Sequence, residues 1–532
     1  MVKYENFERL LHNPIKRRNL IIGAGAFTGL AITSQFSHQR AIATGRFSDY
    51  PFKLGVASGD PDDTSVVLWT RLAPEPLNGG GMRAVNVPIR WEVATDPNMK
   101  RILSRGTELA TPELAHSVRV VVEGLSPDTW YWYRFIVGNE ASPIGRTRTA
   151  PKLGSNSNRL KFALANCQNY QQGYYTAYKY MAQDDLDLVV HVGDYIYEGG
   201  ISPLSPTIPR QHNSSEILTL EDYRNRHALY KLDTNLQAAH AAFPWIVTWD
   251  DHEVENNYAN FISEVDNEPD RDPAIFLQRR AIAYQVYYEH MPLRPFSRPV
   301  GSDMQLYRRL NFGNLATFHV LDTRQYRTDQ PCDDGTKERC PANLDPQATI
   351  TGKAQEDWLY DGLDKSAATW NILAQQVIVA QIDRTAGEGS TYSMDKWDGY
   401  VASRDRLMRF LEQRKPSNPV VLTGDVHNNW AMDLKANFND PNSATVGSEF
   451  VGTSISSGGN GSDSSPAVEA YLPENPHIKF FNNQRGYVRC SLTPTTWKSD
   501  YLVLSNVTTP FGTISNRASF IVENGRPGVQ RI

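Results

Sequence analysis

Four short apolar runs along the chain each stop at side chains able to hold a metal or move a proton. Leu186 to Val192 leads into Gly193-Asp194, and Leu160 to Ala165 stops just before Cys167. Ile246 to Trp249 runs into Asp250-Asp251-His252-Glu253, and Val420 to Gly424 into Asp425-Val426-His427. Compact apolar runs bounded in this way predict strands of a parallel sheet buried on both faces. In open α/β sheets, ligands gather at the carboxyl ends of such strands. Helical apolar spacing recurs over Glu221–Leu232, Ala274–His290 and Arg404–Arg414. The alternation predicts an α/β domain over residues 159–532.

The stretch before it follows a different period. Ser65–Thr70, Val87–Val93 and His116–Val122 alternate apolar and polar positions between Gly, Pro and Asp turns, which predicts an all-β domain over 48–152. Within it, Leu125-Ser126-Pro127-Asp128 turns into the aromatic run Trp130–Phe135, a pattern similar to the tyrosine corner of immunoglobulin- or fibronectin-like sandwiches. The alternating aromatics read as the core and surface of one strand rather than as a carbohydrate platform. The polar, Pro- and Gly-punctuated stretch 147–158 marks the expected boundary.

Composition changes the picture at the N-terminus. Lys16-Arg17-Arg18 precedes a Gly/Ala-rich apolar segment, and Ala41-Ile42-Ala43 offers a small-x-small cleavage site. Residues 1–43 are thus expected to be a signal peptide, and the paired arginines point to the twin-arginine translocation machinery. The apolar segment is too short and too rich in glycine for a good membrane span, and no span is expected in the mature chain. The product would be periplasmic or secreted. Without residues 1–43 the chain holds 48 Lys and Arg against 57 Asp and Glu, a net charge of −9. Such a balance argues against general attraction to nucleic acid or an anionic membrane. In an exported chain, Cys332 and Cys340 read as a disulfide pinning a polar loop, and Cys490 as a buried thiol in a strand. Cys167 is the cysteine placed for chemistry.

The donor types at the strand ends differ in kind. Asp194 is a short acid at a strand end, suited to bridging two ions. Asp425 and His427, one residue apart, can face a common site, and Asp251 adds an oxygen ligand from a third loop. Cys167 as thiolate and Tyr197 as phenolate suit a trivalent iron. The oxygen donors Asp251 and Asp425 suit a harder divalent ion such as calcium, magnesium or manganese. A heteronuclear metal centre is the expectation.

These residues carry a family resemblance. NCQ (166–168), GDYIYE (193–198), WDDHEVENN (249–257), LDTRQYR (321–327), WDGY (397–400) and GDVHNNW (424–430) resemble the PhoD-type alkaline phosphatases. So do GVASGDPDDTSVVLWTRLAP (55–74) and EFVGTSISS (449–457), and the likeness spans nearly the whole mature chain in family order. The family belongs to the calcineurin-like, purple-acid-phosphatase-like metallophosphoesterases. That implies a four-layer α/β/β/α core behind a small N-terminal β-sandwich. It also implies Fe3+ held by Cys167, Asp194, Tyr197 and His427, with Asp194 bridging to Ca2+ held by Asp251 and Asp425. A second calcium would draw on Asn257 or its neighbour Asn256, and Mn2+ or Mg2+ would fit the oxygen-rich pocket as well. His252 would meet the phosphate, and Arg324 would grip substrate as a two-pronged donor. Two metals about 3.5–4 Å apart would acidify a water, whose oxide or hydroxide attacks phosphorus.

The resemblance therefore implies an exported alkaline phosphatase that releases inorganic phosphate from small phosphomonoesters and phosphodiesters. Two alternatives are a phosphodiesterase or phospholipase-D-type enzyme using the same centre, and an inactive hydrolase-like binding protein at the cell surface. Every named ligand position carries a competent donor, which speaks against the binder. Oligomeric state, the role of the Cys332–Cys340 loop and the placing of the C-terminal tail are open at this point.

Overall fold

Three parallel strands, Leu160–Ala165, Leu188–His191 and Pro244–Val247, lie side by side with Leu188 opposite Phe162 and Val189 opposite Trp245. They form the middle of a ten-stranded sheet in a computed structural model that describes residues 47–264 and 269–532. The expected leader, residues 1–43, lies outside the described residues. On one flank the sheet continues antiparallel through Gly486–Leu492, Thr496–Leu504, Ile514–Glu523 and Arg526–Arg531. A second, eight-stranded sheet has Ala316–Val320, Trp370–Ala374, Pro419–Thr423 and Thr445–Val451 as its parallel centre.

The two sheets pack face to face. Phe162, Leu164, Leu188, Val190 and Ile246 from the first meet Phe318, Val320, Ile372, Ala374, Val420 and Leu422 from the second. Each of the larger of these side chains, withdrawn from water, contributes about 1.5–3 kcal/mol. The opposite face of the first sheet, with Ala163, Val189, Trp245 and Val247, is covered by helices Thr176–Met181, Leu220–Lys231, Thr234–Ala242 and Pro273–His290. The outer face of the second sheet, with Leu373, Val421 and Met432, is covered by Gly352–Lys365 and Val401–Arg414. The order is α/β/β/α, as expected. Local chemistry starts the helices: Thr219 and Asp222 form a reciprocal capping box, and Asp272 caps a helix with Pro273 in its first turn.

The N-terminal strands form a β-sandwich, but one of its two faces belongs to the central sheet. Val56–Gly59 pairs in parallel with Pro244–Val247, and Val66–Arg71 and Ser117–Val122 extend the same sheet antiparallel. Val56, Val66, Leu68 and Val120 on that side pack against Ile89, Val93, Tyr131, Tyr133 and Phe135 of a separate five-stranded sheet. Strands from both sides of the polar stretch 147–158 therefore share one sheet, and the described residues form one compact unit. In Trp130–Val137 the residues alternate between partly exposed and buried, as read from the sequence, and the Tyr131 hydroxyl accepts from Ser126 N at 2.9 Å. No described helix is long and apolar enough to cross a membrane.

Candidate metal centre

The chain turns sharply where the central strands end. Cys167, Asp194, Asp425 and His427 take left-handed φ values of 52°, 56°, 66° and 57°. Each such non-glycine residue costs on the order of 1–3 kcal/mol and persists only where its surroundings over-determine it. Two restraints are visible. The Cys167 and Gln168 amides donate to the carbonyls of Gly193 and Asp194 at 3.1 and 3.0 Å, which carries the parallel ladder past the strand ends. Glu253 then gathers three amides, accepting from Asp194 N at 3.1 Å, Tyr195 N at 2.5 Å and Asp250 N at 2.8 Å. Gly193 itself has no substitute, because a Cβ there would lie 2.5 Å from Asp250 N.

These turns bring the predicted donors together in three interlocking groups. One ligand atom from each of Cys167, Asp194 and His427 lies within 4.8 Å of the others, and the same holds for Asp194, Asp251 and His252, and for Asp250, Asp251 and Asp425. Asp194 belongs to two of the groups. Tyr197 completes the first: its hydroxyl donates to Asp194 Oδ2 at 2.8 Å, sits 3.1 Å from His427 Nε2 and accepts from Ser457 Oγ at 2.8 Å.

The electrostatics are those of a cation site. Burial pushes the Cys167 thiol well above its usual range, and Asp194, Asp425 and Asp250 push it further. Burial does the same to the Tyr197 phenol, helped by Asp194 and Cys167, and it also raises Asp194. Asp194 Oδ1 and Asp250 Oδ2 are buried without a hydrogen-bond partner. Burial also holds the His427 imidazole neutral, with its pKa down to about 3, leaving a lone pair free for a metal. A bound cation inverts this cost by favouring every anionic form at once. The donor set fits the metals expected of it.

His252 stands outside the first group and shares the second with Asp194 and Asp251. Its Nδ1 lies 2.7 Å from Glu198 Oε2, its ring stands 4.1 Å from that of Tyr197, and its side chain is 19% exposed. Burial opposes its charge, but Glu198, Asp251 and Asp194 outweigh that and lift its pKa well above the ordinary imidazole value. Of the two asparagines, Asn257 faces the oxygen-rich group, its amide N–H donating to Asp251 Oδ2 at 2.8 Å. Asn256 turns away, toward Glu198 Oε1 and Glu264 Oε2, both at 2.8 Å.

The role expected of Arg324 needs correction. Its side chain is 0% exposed, and its donors are spent on carboxylates. Nε donates to Asp250 Oδ1 at 2.5 Å, and Nη1 and Nη2 to the two Asp395 oxygens at 2.7 and 3.1 Å. Nη2 also lies 3.4 Å from Asp251 and 3.7 Å from Asp425. Arg324 is a buried counter-charge for the acidic group, and the lysine beside it stands nearer the solvent. Lys396, 13% exposed at its side chain, pairs with Asp425 and, at 2.9 Å, with Asp395. Sequence reasoning passed over Asp395, Lys396, Glu198, Glu253 and Ser457. Glu198 and Glu253 sit inside the family motifs, and Asp395-Lys396 directly precedes WDGY. The disulfide between Cys332 and Cys340 is present, and Cys490 is a buried free thiol.

The family model of the PhoD-like phosphatases matches residues 162–501, and that of their N-terminal domain matches 37–151. The chain belongs to the PhoD-like phosphatase family. These proteins are phosphoric ester hydrolases. Alkaline phosphatase D of Bacillus subtilis (strain 168) is 53% identical over 537 residues, spanning 100% of this chain and 91% of that protein. The solved structure titled "Structure of PhoD" superposes with a TM-score of 0.89 at 55% identity, covering 92% of this chain and 93% of the other. The metallophosphoesterase fold expected from the motifs, with its N-terminal β-sandwich, is the fold of this family member.

Proposed function

We propose that the protein is an exported, metal-dependent alkaline phosphatase that hydrolyses phosphomonoesters and phosphodiesters and releases inorganic phosphate. The observation that carries this reading is the chain of shared carboxylates: Asp194 joins the thiol–phenol–imidazole group to Asp251 and His252, and Asp251 in turn belongs to the all-carboxylate group with Asp250 and Asp425. Cys167, Asp194, Tyr197 and His427 would hold Fe3+, and Asp194, Asp251 and Asp425 would hold Ca2+, with Asn257 contributing to a second calcium beside it. When bound, such a pair supplies Lewis acidity, acidifying the attacking water and neutralising the phosphoryl oxygens.

The remaining work falls to side chains of the chain itself. His252, kept protonated by Glu198 on Nδ1, is partly exposed and has Nε2 left to stabilise phosphoryl charge or give a proton to the leaving alkoxide. Arg324 balances Asp250 and Asp395, and its charge also favours the ionised forms of Asp251 and Asp425 against their burial. Glu253 and Ser457 hold the ligand loops in their left-handed turns. The leader 1–43 is read as a twin-arginine signal, which delivers the protein to the periplasm or the medium.

The deciding experiment measures metals by mass spectrometry and the visible spectrum of the mature chain. It then compares hydrolysis of a chromogenic monoester and diester with and without a strong chelator. Iron with calcium, a tyrosinate-to-iron band and chelator-sensitive turnover on both esters are expected. Full activity without iron would remove Cys167 and Tyr197 from the centre. Export is tested separately by replacing both Arg17 and Arg18 with lysine, which should hold the precursor inside the cell.

A further inference from the structure

We propose that the disulfide-pinned loop around Cys332–Cys340 is a positioning device for the oxygen-rich pocket, in which Asp334 orients the Asn257 side chain. This rests on the reading of the metal centre above and assigns a task to a loop outside the ligand motifs.

The loop has a backbone that it would not keep unaided. Cys332, Asp333, Asp334 and Gly335 follow one another at φ values of 60°, 60°, 53° and 76°. Three successive L-residues in that region are costly, so the conformation must be imposed from outside. The disulfide closes the segment on itself. Thr336–Lys337 then pairs antiparallel with Tyr392–Ser393, and Met394 N donates to Gly335 O at 2.8 Å. The loop is thereby fastened to the segment that carries Asp395 and Lys396 into the site.

What these restraints deliver is one carboxylate. Asp334 Oδ2 accepts from Asn257 Nδ2 at 2.8 Å. Asn257, itself left-handed at φ 51°, is held at two further points. Its N–H donates to Asp251 Oδ2 at 2.8 Å, and its carbonyl accepts from Gln330 Nε2 at 2.6 Å. The same Gln330 amide donates to Asp395 Oδ1 at 2.9 Å. The nitrogen and oxygen of a side-chain amide stand on opposite edges of one carbon. Giving Nδ2 to Asp334 therefore turns Oδ1 away from that carboxylate, as a neutral oxygen donor of fixed orientation on a residue whose backbone is tied to Asp251. Partners that orient a metal ligand in this way are worth roughly 10–100-fold in metal affinity.

The test titrates calcium, with manganese in parallel, into the mature chain against a chromophoric chelator, following the iron–tyrosinate band at the same time. Asp334→Ala should weaken calcium binding by roughly tenfold or more. The band, which reports Cys167 and Tyr197, should not move. Asp334→Asn, whose amide oxygen still accepts from Asn257, should restore most of the affinity. The Cys332→Ser/Cys340→Ser pair should resemble Asp334→Ala, and thermal unfolding of each variant separates loss of the fold from loss of the brace. Unchanged calcium affinity in Asp334→Ala, or Asp334→Asn failing as badly as Asp334→Ala, overturns the proposal while leaving the centre intact. A parent chain that binds iron but neither calcium nor manganese overturns the oxygen-rich pocket itself, and the proposal with it.

Discussion

Replacing Arg324 with alanine tests the corrected reading of that residue most sharply. In the native chain the guanidinium faces Asp250 at 2.5 Å, Asp395 at 2.7 Å, Asp251 at 3.4 Å and Asp425 at 3.7 Å, with no exposure to solvent. Asp395 keeps other cations after the change, Arg327 at 2.6 Å and Lys396 at 2.9 Å. Among the described residues Asp250 has no second cation at hydrogen-bond distance, and its Oδ2 is already unpartnered. Arg324→Ala thus leaves one buried carboxylate stranded, a defect that costs about 3–5 kcal/mol. Arg324→Lys keeps a charge but loses the fork, and reaches Asp250 or Asp395 but not both. Urea unfolding of the metal-loaded protein should show the loss, and the double variant Arg324→Ala/Asp250→Asn should recover part of it, since the two changes act on one pair. Kinetics on a chromogenic monoester supply the opposing outcome. A variant of unchanged stability with a sharply raised KM would mean that Arg324 meets phosphate after all, and its role as a buried counter-charge would fall.

Four further outcomes are expected. Asp194→Ala and His427→Ala should lose metal and turnover together, read by metal analysis beside the assay, whereas His252→Ala should keep its metal and lose roughly 10²–10⁴-fold in kcat. Lys231 is buried over the Trp69 ring at 4.4 Å, and burial drops its pKa to about 7 from 10.5. Between those values the unfolded chain binds the proton that the folded chain has released, so this lysine makes stability rise with pH from about 7 to 10.5. Lys231→Met should flatten that slope and gain several kcal/mol at neutral pH, on the order of 1.4 kcal/mol per pKa unit, as read from urea midpoints at pH 7 and 10. Asp128→Asn neutralises a 55% exposed carboxylate whose partner Arg148 still holds Asp187, while keeping a side chain that tolerates the left-handed φ of 53°, so stability should move by no more than about 0.5 kcal/mol and turnover not at all.

The strand ends were legible because a strand buried on both faces must be apolar throughout, so the first polar residue after it marks the sheet edge. Hence Cys167, Asp194, Asp251, Asp425 and His427 could be named before any geometry. Arg324 was misread because a motif shows a side chain's reach but not its burial, and an arginine between two carboxylates looks on paper like one facing phosphate. Asp395 and Lys396 lie in irregular chain with no periodicity, and only the fold brings them to Arg324. The strand Ile102–Ala110 escaped notice because most of its side chains face solvent and leave no apolar pattern. The parallel pairing of Val56–Gly59 with Pro244–Val247 joins distant segments, and no local composition announces such a partner.

That pairing has a consequence for how the chain is made. Without residues 56–59 the strand Pro244–Val247 would end the sheet as a bare, apolar edge, the template on which aggregation begins. A fragment starting near residue 159 is therefore expected to be sticky rather than autonomous. During synthesis the first strands leave the ribosome well before their mate, and at about 5–20 residues per second they wait on the order of ten seconds or more. For that interval the newborn chain depends on whatever shields its unfinished rim.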